Sequence, residues 1–179
     1  MPAAIAVTIP GALNAWSKIH EEHGKLDYER LFIKAIEYAE NGFNISEKVS
    51  QSWKKNIIKL NNNKNTKEIF LKSGKNYDFT NKFFNQPLAN SLKLISKKGS
   101  REFYEGSIAK DIVNTLKELG GVHTLEDLSV QNTLKSNSIF CSYKDLFIHQ
   151  CPPNGPGVTV LIMMKMMDKL KIENYDPMS

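Results

Sequence analysis

The 179-residue chain predicts a helix-dominated α+β fold with an incomplete sheet. Three observations carry that reading. Apolar residues recur at i, i+3, i+4 and i+7 through most of the chain before Gly120. The period then changes to alternation between Ser138 and His149. Behind it a Pro/Gly-rich loop, Cys151-Pro-Pro-Asn-Gly-Pro-Gly157, feeds an apolar, Met-rich stretch of helical length, Val158–Leu170.

Taken in order, Met1–Ile9 is apolar and reads as a short buried strand running into the turn Pro10-Gly11. Gly11 to His23 reads as a helix with Leu13, Trp16, Ile19 and His20 on one side, left through a left-handed Gly24. Asp27 is placed to cap the next helix, whose stripe is Tyr28, Leu31, Phe32, Ala35, Ile36 and Ala39, with Gly42 closing it. Ser46 caps a third, with Val49, Trp53, Ile57 and Leu60 inward. Asn61–Asn85 is irregular. Pro87 suits the first position of a helix carrying Leu88, Leu92 and Ile95, ended by Gly99. Ser107 caps a helix with Ile108, Ile112, Leu116 and Leu119, stopped at Gly120-Gly121. Thr124 with Asp127 resembles a capping box and starts a short turn. Ser138–Tyr143 and Leu146–His149 form a hairpin around Lys144-Asp145, without the glycine such turns favour.

A chain of this length buries one substantial core. The expected organisation is a single partial domain: a mainly helical lobe over 1–136, then hairpin, loop and helix over 137–179. Hydrophobic content of 41% and charged content of 24% are ordinary for a globular protein. No apolar run reaches the ~20 residues that span a bilayer. The N-terminus has no basic leader and no clear cleavage site, so it is a poor signal peptide. That leaves the compartment, cytoplasmic or periplasmic, open. A start inside a strand and a hairpin without a sheet both point to a piece of something longer.

Charge is uneven. Residues 46–101 hold thirteen Lys/Arg and three Asp/Glu, a balance of +10, which leaves −5 for the rest of a chain of net charge +5. Trp53, Phe70, Tyr77, Phe79, Phe83 and Phe84 interleave this stretch. One reading is a nucleic-acid footprint. The favoured one is a solvated face rich in Lys and Asn.

Candidate chemistry is sparse. Cys141 and Cys151 cannot make a disulfide framework and read as free buried thiols. His20 and His23 share a helix face without a third metal ligand. The 151–157 loop points at a helix N-terminus, but it carries no Gly-Lys-Ser/Thr and its prolines remove donors. Binding of phosphate there is a minor reading. His123-Thr124 is a nucleophile-like pair in which Thr124 is better used as a cap. Glu126 and Asp127 are adjacent, so on a helix they diverge.

The order of motifs is more specific. Val7-Thr-Ile-Pro-Gly-Ala12, Tyr38-Ala-Glu-Asn-Gly-Phe43, Gln86-Pro-Leu-Ala89, Phe103-Tyr-Glu-Gly106, Gly120-Gly-Val-His-Thr-Leu-Glu-Asp-Leu128 and Pro152-Pro-Asn-Gly155 follow one another along nearly the whole chain. This succession resembles the large-subunit region of the γ-glutamyltransferase (γ-glutamyltranspeptidase) family, and the Pro-Pro-Asn-Gly form leans toward its acylase-like branch. The resemblance implies part of an N-terminal-nucleophile hydrolase, an αββα sandwich without metal or organic cofactor. It implies a precursor that cuts itself before a Thr, giving a smaller subunit whose freed Thr attacks γ-glutamyl amides such as glutathione. On that pattern the nucleophile falls after Ser179 and the substrate-gripping Arg before Met1. Arg30 and Arg101 do not match the latter's motif. No catalytic, cofactor or metal residue is therefore assigned within these 179 positions.

Overall fold

The computed structural model describes residues 3–171 and 174–176. It divides into two compact units, Met1–Thr133 and Leu134–Ser179.

The first unit opens with a single 3-10 turn, Ala3–Ala6, where the sequence suggests a strand. The first two residues of that expected strand lie outside the described residues. The reason for the change is local. Ala3–Ala6 contains one β-branched residue, and Pro10 cannot donate to a ladder. Nine helices follow among the described residues: α1 (Ala12–His23), α2 (Tyr28–Asn41), α3 (Glu47–Lys55), α4 (Ile57–Asn61), α5 (Lys64–Phe70), α6 (Gln86–Lys98), α7 (Arg101–Glu105), α8 (Ser107–Glu118) and α9 (Leu125–Ser129). Two minimal antiparallel ladders lie among them. In one, β1 (Phe43–Asn44) pairs with β4 (Lys82–Phe83); in the other, β2 (Leu71–Lys72) pairs with β3 (Lys75–Asn76). The expected third helix is thus two, broken at Asn56, whose side-chain amide bonds back to the Ser52 carbonyl.

The core of this unit is Leu13, Ile95, Tyr104, Ala109, Val113 and Leu128, with Tyr28, Phe32, Ile108 and Ile112 packed against it. The helical stripes are legible but rotated. Val113 and Ala109 are fully buried, while Leu119 at the end of the expected stripe is 52% exposed. Trp16 and Ile19, read on one side of α1 with Leu13, are likewise exposed. Leu31 and Leu88 are exposed as well; α2 and α6 pack together, and the small residues Ala39 and Ala89 on them are buried.

The caps hold in part. Ser46 accepts from the Val49 N–H at 3.3 Å, and Thr124 with Asp127 forms a complete capping box. Pro87 sits one residue inside α6, whose cap is the Asn85 side chain. Three expected features differ. Asp27 precedes α2 without a side-chain cap bond. Gly24 has φ −66 and is not left-handed; the His20 ring lies where a β-carbon would sit. Ser107 is the first helical residue of α8 rather than its cap.

The second unit is the antiparallel hairpin β5 (Ile139–Tyr143) and β6 (Leu146–Gln150), followed by α10 (Gly157–Leu170). Cys141 faces Ile148 across the hairpin, and Ile139, Cys141 and Ile148 form its half-buried face. Leu146, two residues before Ile148 on the same strand, is 63% exposed. The observed architecture is α+β and dominated by helix, with three separate two-stranded ladders among the described residues.

Candidate functional site

The tight turn before α10 is made by position 157. A β-carbon on Gly157 would come within 2.3 Å of the Cys151 carbonyl oxygen and 3.0 Å of Gln150 Cβ. The end of β6 therefore lies directly against the first turn of α10. The loop's composition serves that close approach, and no side chain caps the helix. Both cysteines are free thiols, but Cys151 is exposed and Cys141 half-buried, correcting the expectation that both are buried.

His123 and Thr124 do not form a nucleophile–base pair. His123 donates from Nε2 to the Val7 carbonyl at 2.6 Å, which leaves Nδ1 as its buried, unpaired nitrogen. The Thr124 hydroxyl donates to Asp127 Oδ2 at 2.8 Å and accepts from the Asp127 N–H at 3.2 Å. The Thr124 N–H also reaches Oδ2 at 2.8 Å. These bonds, the hydroxyl first, hold the Asp127 carboxyl below its usual range. Thr124 is wholly employed in starting α9.

Other motif residues serve as joints between elements. The Tyr104 hydroxyl, buried, donates to the Pro10 carbonyl at 2.7 Å and accepts from the Asn14 N–H at 3.2 Å. Burial pushes its pKa up. Together with His123, it pins Val7–Pro10, whose carbonyls are taken by side chains rather than by a neighbouring strand. A second joint links Tyr38–Phe43 to Gln86–Ala89: the Asn85 N–H donates to the Ala39 carbonyl at 2.9 Å, and Glu40 takes both Lys93 and Gln86. Hydrogen bonding from Lys93 is the main cause that lowers the Glu40 pKa.

Glu102 has a role that the sequence reading missed. Its Oε1 accepts from the Ser107 hydroxyl at 2.7 Å and from the Ser107 N–H at 2.9 Å, and its Oε2 pairs with Lys98 at 3.3 Å. The Ser107 hydroxyl is the largest cause of its lowered pKa. It is the anion at the start of α8, in the place given to Ser107. The signal available was an acidic residue ahead of a helix start.

The aromatic residues of the basic stretch mostly face each other. Phe83 stacks on Phe70 at 5.8 Å between centroids, and Trp53 and Tyr77 meet it edge-on. Phe79 and Phe84 are about half exposed. Four of six rings thus form a small satellite core rather than a stacking platform, leaving the lysines as a solvated face. Arg101 pairs with Glu105 four residues on, and Arg30 is exposed on α2.

Several grooves open in the first unit, and two of them carry candidate side chains. One, about 390 Å³, is apolar and lined by Trp16, Ile19, Leu26 and Leu31, with His20 at its edge. His20 Nε2 lies 2.7 Å from the Leu26 carbonyl, so it closes the α1–α2 turn rather than awaiting a metal. Among the described residues no group of three metal-ligating side chains occurs. The other groove, about 550 Å³, carries Glu68, Asp111, Tyr77 and Gln86 without a hydroxyl–imidazole pair. The hydroxyl–imidazole contact in the second unit, Ser138 with His149 at 3.0 Å, is exposed, lines neither groove, and has the His149 ring stacked on Phe140. Among the described residues no helix is long and apolar enough to cross a membrane.

The chain is similar to known proteins over nearly its whole length. The family model described as Gamma-glutamyltranspeptidase matches residues 2–179. The Glutathione hydrolase-like YwrD proenzyme of Bacillus subtilis is 33% identical over 171 residues, which are 96% of this chain and 32% of that protein. The crystal structure of Helicobacter pylori gamma-glutamyltranspeptidase superposes with a TM-score of 0.86 at 27% identity, over 93% of this chain and 48% of that one. Cephalosporin acylase from Bacillus halodurans superposes with the same TM-score at 25% identity, over 92% of this chain and 32% of the other. The chain thus spans about a third of the length of the curated relatives it matches.

Proposed function

The chain belongs to the gamma-glutamyltranspeptidase family, and we propose that it is the helical scaffold portion of an enzyme that cleaves γ-glutamyl amides. In this reading the nucleophile is a Thr supplied by polypeptide following Ser179. That Thr is freed by self-cleavage of a common precursor, and its α-amine serves as base. The substrate is a glutathione-like γ-glutamyl compound, and the partner is the smaller subunit of the same precursor. The observation that carries the reading is the end-to-end family match of a chain covering about a third of its relatives. The internal use of its motifs supports it. Tyr104, His123, Thr124 and Glu102 all spend their polar atoms on the chain's own backbone and caps. These residues build a frame for chemistry located elsewhere.

The test is a paired assay. The purified 179-residue chain is expected to release no p-nitroaniline from γ-glutamyl-p-nitroanilide. The product of the longer reading frame should cleave itself and turn over that substrate, and it should lose both abilities when the Thr at the new N-terminus is replaced by Ala. Turnover by the 179-residue chain itself would refute the placement of the nucleophile outside it. A self-cleaved longer product inert toward γ-glutamyl amides would instead refute the substrate.

A further inference from the structure

The chain contains two Asn-Gly dipeptides, Asn41-Gly42 and Asn154-Gly155, and both asparagines are exposed. Their surroundings differ in the one respect that governs asparagine chemistry. Succinimide formation requires the backbone nitrogen of the following residue to lose its proton and attack the Asn Cγ. Glycine favours this because no side chain blocks the approach. At the end of α2 that nitrogen is engaged: the Gly42 N–H donates to the Tyr38 carbonyl at 3.0 Å. Gly42 is also held at φ 72 with the Phe84 ring against its α-carbon, 2.7 Å from where a β-carbon would lie. Asn41 therefore belongs to a closed helix end. In the turn before α10 the Gly155 N–H makes no backbone hydrogen bond among the described residues, and apart from its chain neighbours no described atom lies within 4 Å of where a β-carbon on Gly155 would sit.

We propose that Asn154 is a spontaneous deamidation site, and that Asn41 is protected by its fold despite the same local sequence. The Gly155 amide nitrogen gives up its proton to solvent base and forms a bond to Asn154 Cγ. The Cγ–NH2 bond breaks and ammonia leaves with a proton from water. Water then opens the five-membered imide at either carbonyl, producing aspartate or, with one more backbone carbon, isoaspartate. No oxidant or other reagent is required. The product is tolerated by the neighbouring element: a carboxylate at position 154 lies just before the N-terminus of α10, where the helix dipole favours a negative charge. The reaction lowers the net charge by one unit while leaving α10 capable of forming.

The experiment is peptide mapping by mass spectrometry after incubating the native protein, as expressed from its own reading frame, at mildly alkaline pH. The expected result is conversion of the Asn154 peptide to a mixture of aspartate and isoaspartate, about fivefold faster than at Asn41, the factor set by breaking one net hydrogen bond at Gly42. In denaturing urea the two sites should react at similar rates, because there the dipeptides are equivalent. Replacing Gly155 with Ile should slow only the Asn154 reaction. Equal native rates, faster reaction at Asn41, or no conversion at Asn154 would each overturn the proposal.

Discussion

Glu102 shows what a single side chain does in this chain. Its carboxylate is nearly covered, with 9% side-chain exposure, and it takes two bonds from Ser107 and one from Lys98. All three favour the charged form, so its pKa is lower folded than unfolded. A group of that kind stabilises the fold above its unfolded pKa, and the contribution is lost as pH falls through the folded value. Asp127, held by Thr124, and Glu40, held by Lys93, act in the same direction. Stability should therefore be flat at neutral pH and fall once pH drops below the ordinary carboxylate range. In urea titrations across that range, Glu102→Gln is expected to lower the midpoint at neutral pH and to flatten its acid dependence. An unchanged acid slope in the variant would contradict the role assigned to Glu102.

At the scale of elements the hairpin is the clearest case. Its first loop residue, Lys144, stands at φ 51, a backbone conformation in which L side chains are strained and glycine is not. Lys144→Gly should relieve that strain, less the extra chain entropy that glycine loses on folding, for a net gain of about 0.5 kcal/mol. A thermal melt that moves upward with unchanged cooperativity checks it; a downward shift would mean that Lys144 is held there by something worth more than the strain. The hairpin was legible because period-2 alternation and a two-residue loop are local signals. So were the α9 capping box and the ends of α2 and α6. Local signals failed where a distant group intervenes. Nothing near Val7 announces that His123 and Tyr104 take the carbonyls of Val7 and Pro10. Nothing in the i, i+3, i+4 pattern distinguishes Val113 on α8 from Leu119 just past its end; the neighbours Leu13 and Leu128 decide it. The candidate site followed the same rule. The motif order pointed to the family, whereas the part each motif plays, joint or cap, required the long-range contacts.

For the whole molecule, the two units differ in how much of their own apolar surface they cover. The first has a closed core in which Ala89, Ala109 and Leu128 are wholly buried. The second exposes apolar side chains on every element: Phe140 and Phe147 on the hairpin, and Val158, Ile162, Met163, Met166 and Leu170 on α10. A helix apolar around most of its circumference is stable only when covered on more than one side. A lone hairpin is marginal in water, and a segment this short lacks the volume for a core of its own. Residues 1–133 expressed alone should therefore unfold cooperatively in urea, with matching transitions by fluorescence and far-UV circular dichroism. Residues 134–179 alone should show neither a cooperative transition nor dispersed amide resonances, and should self-associate as concentration rises. The two outcomes test the division separately. Failure of 1–133 to fold would mean that the Leu13–Val113–Leu128 cluster is insufficient. A cooperative, monomeric fold for 134–179 would mean that Ile139, Cys141 and Ile148 with α10 are a core in their own right.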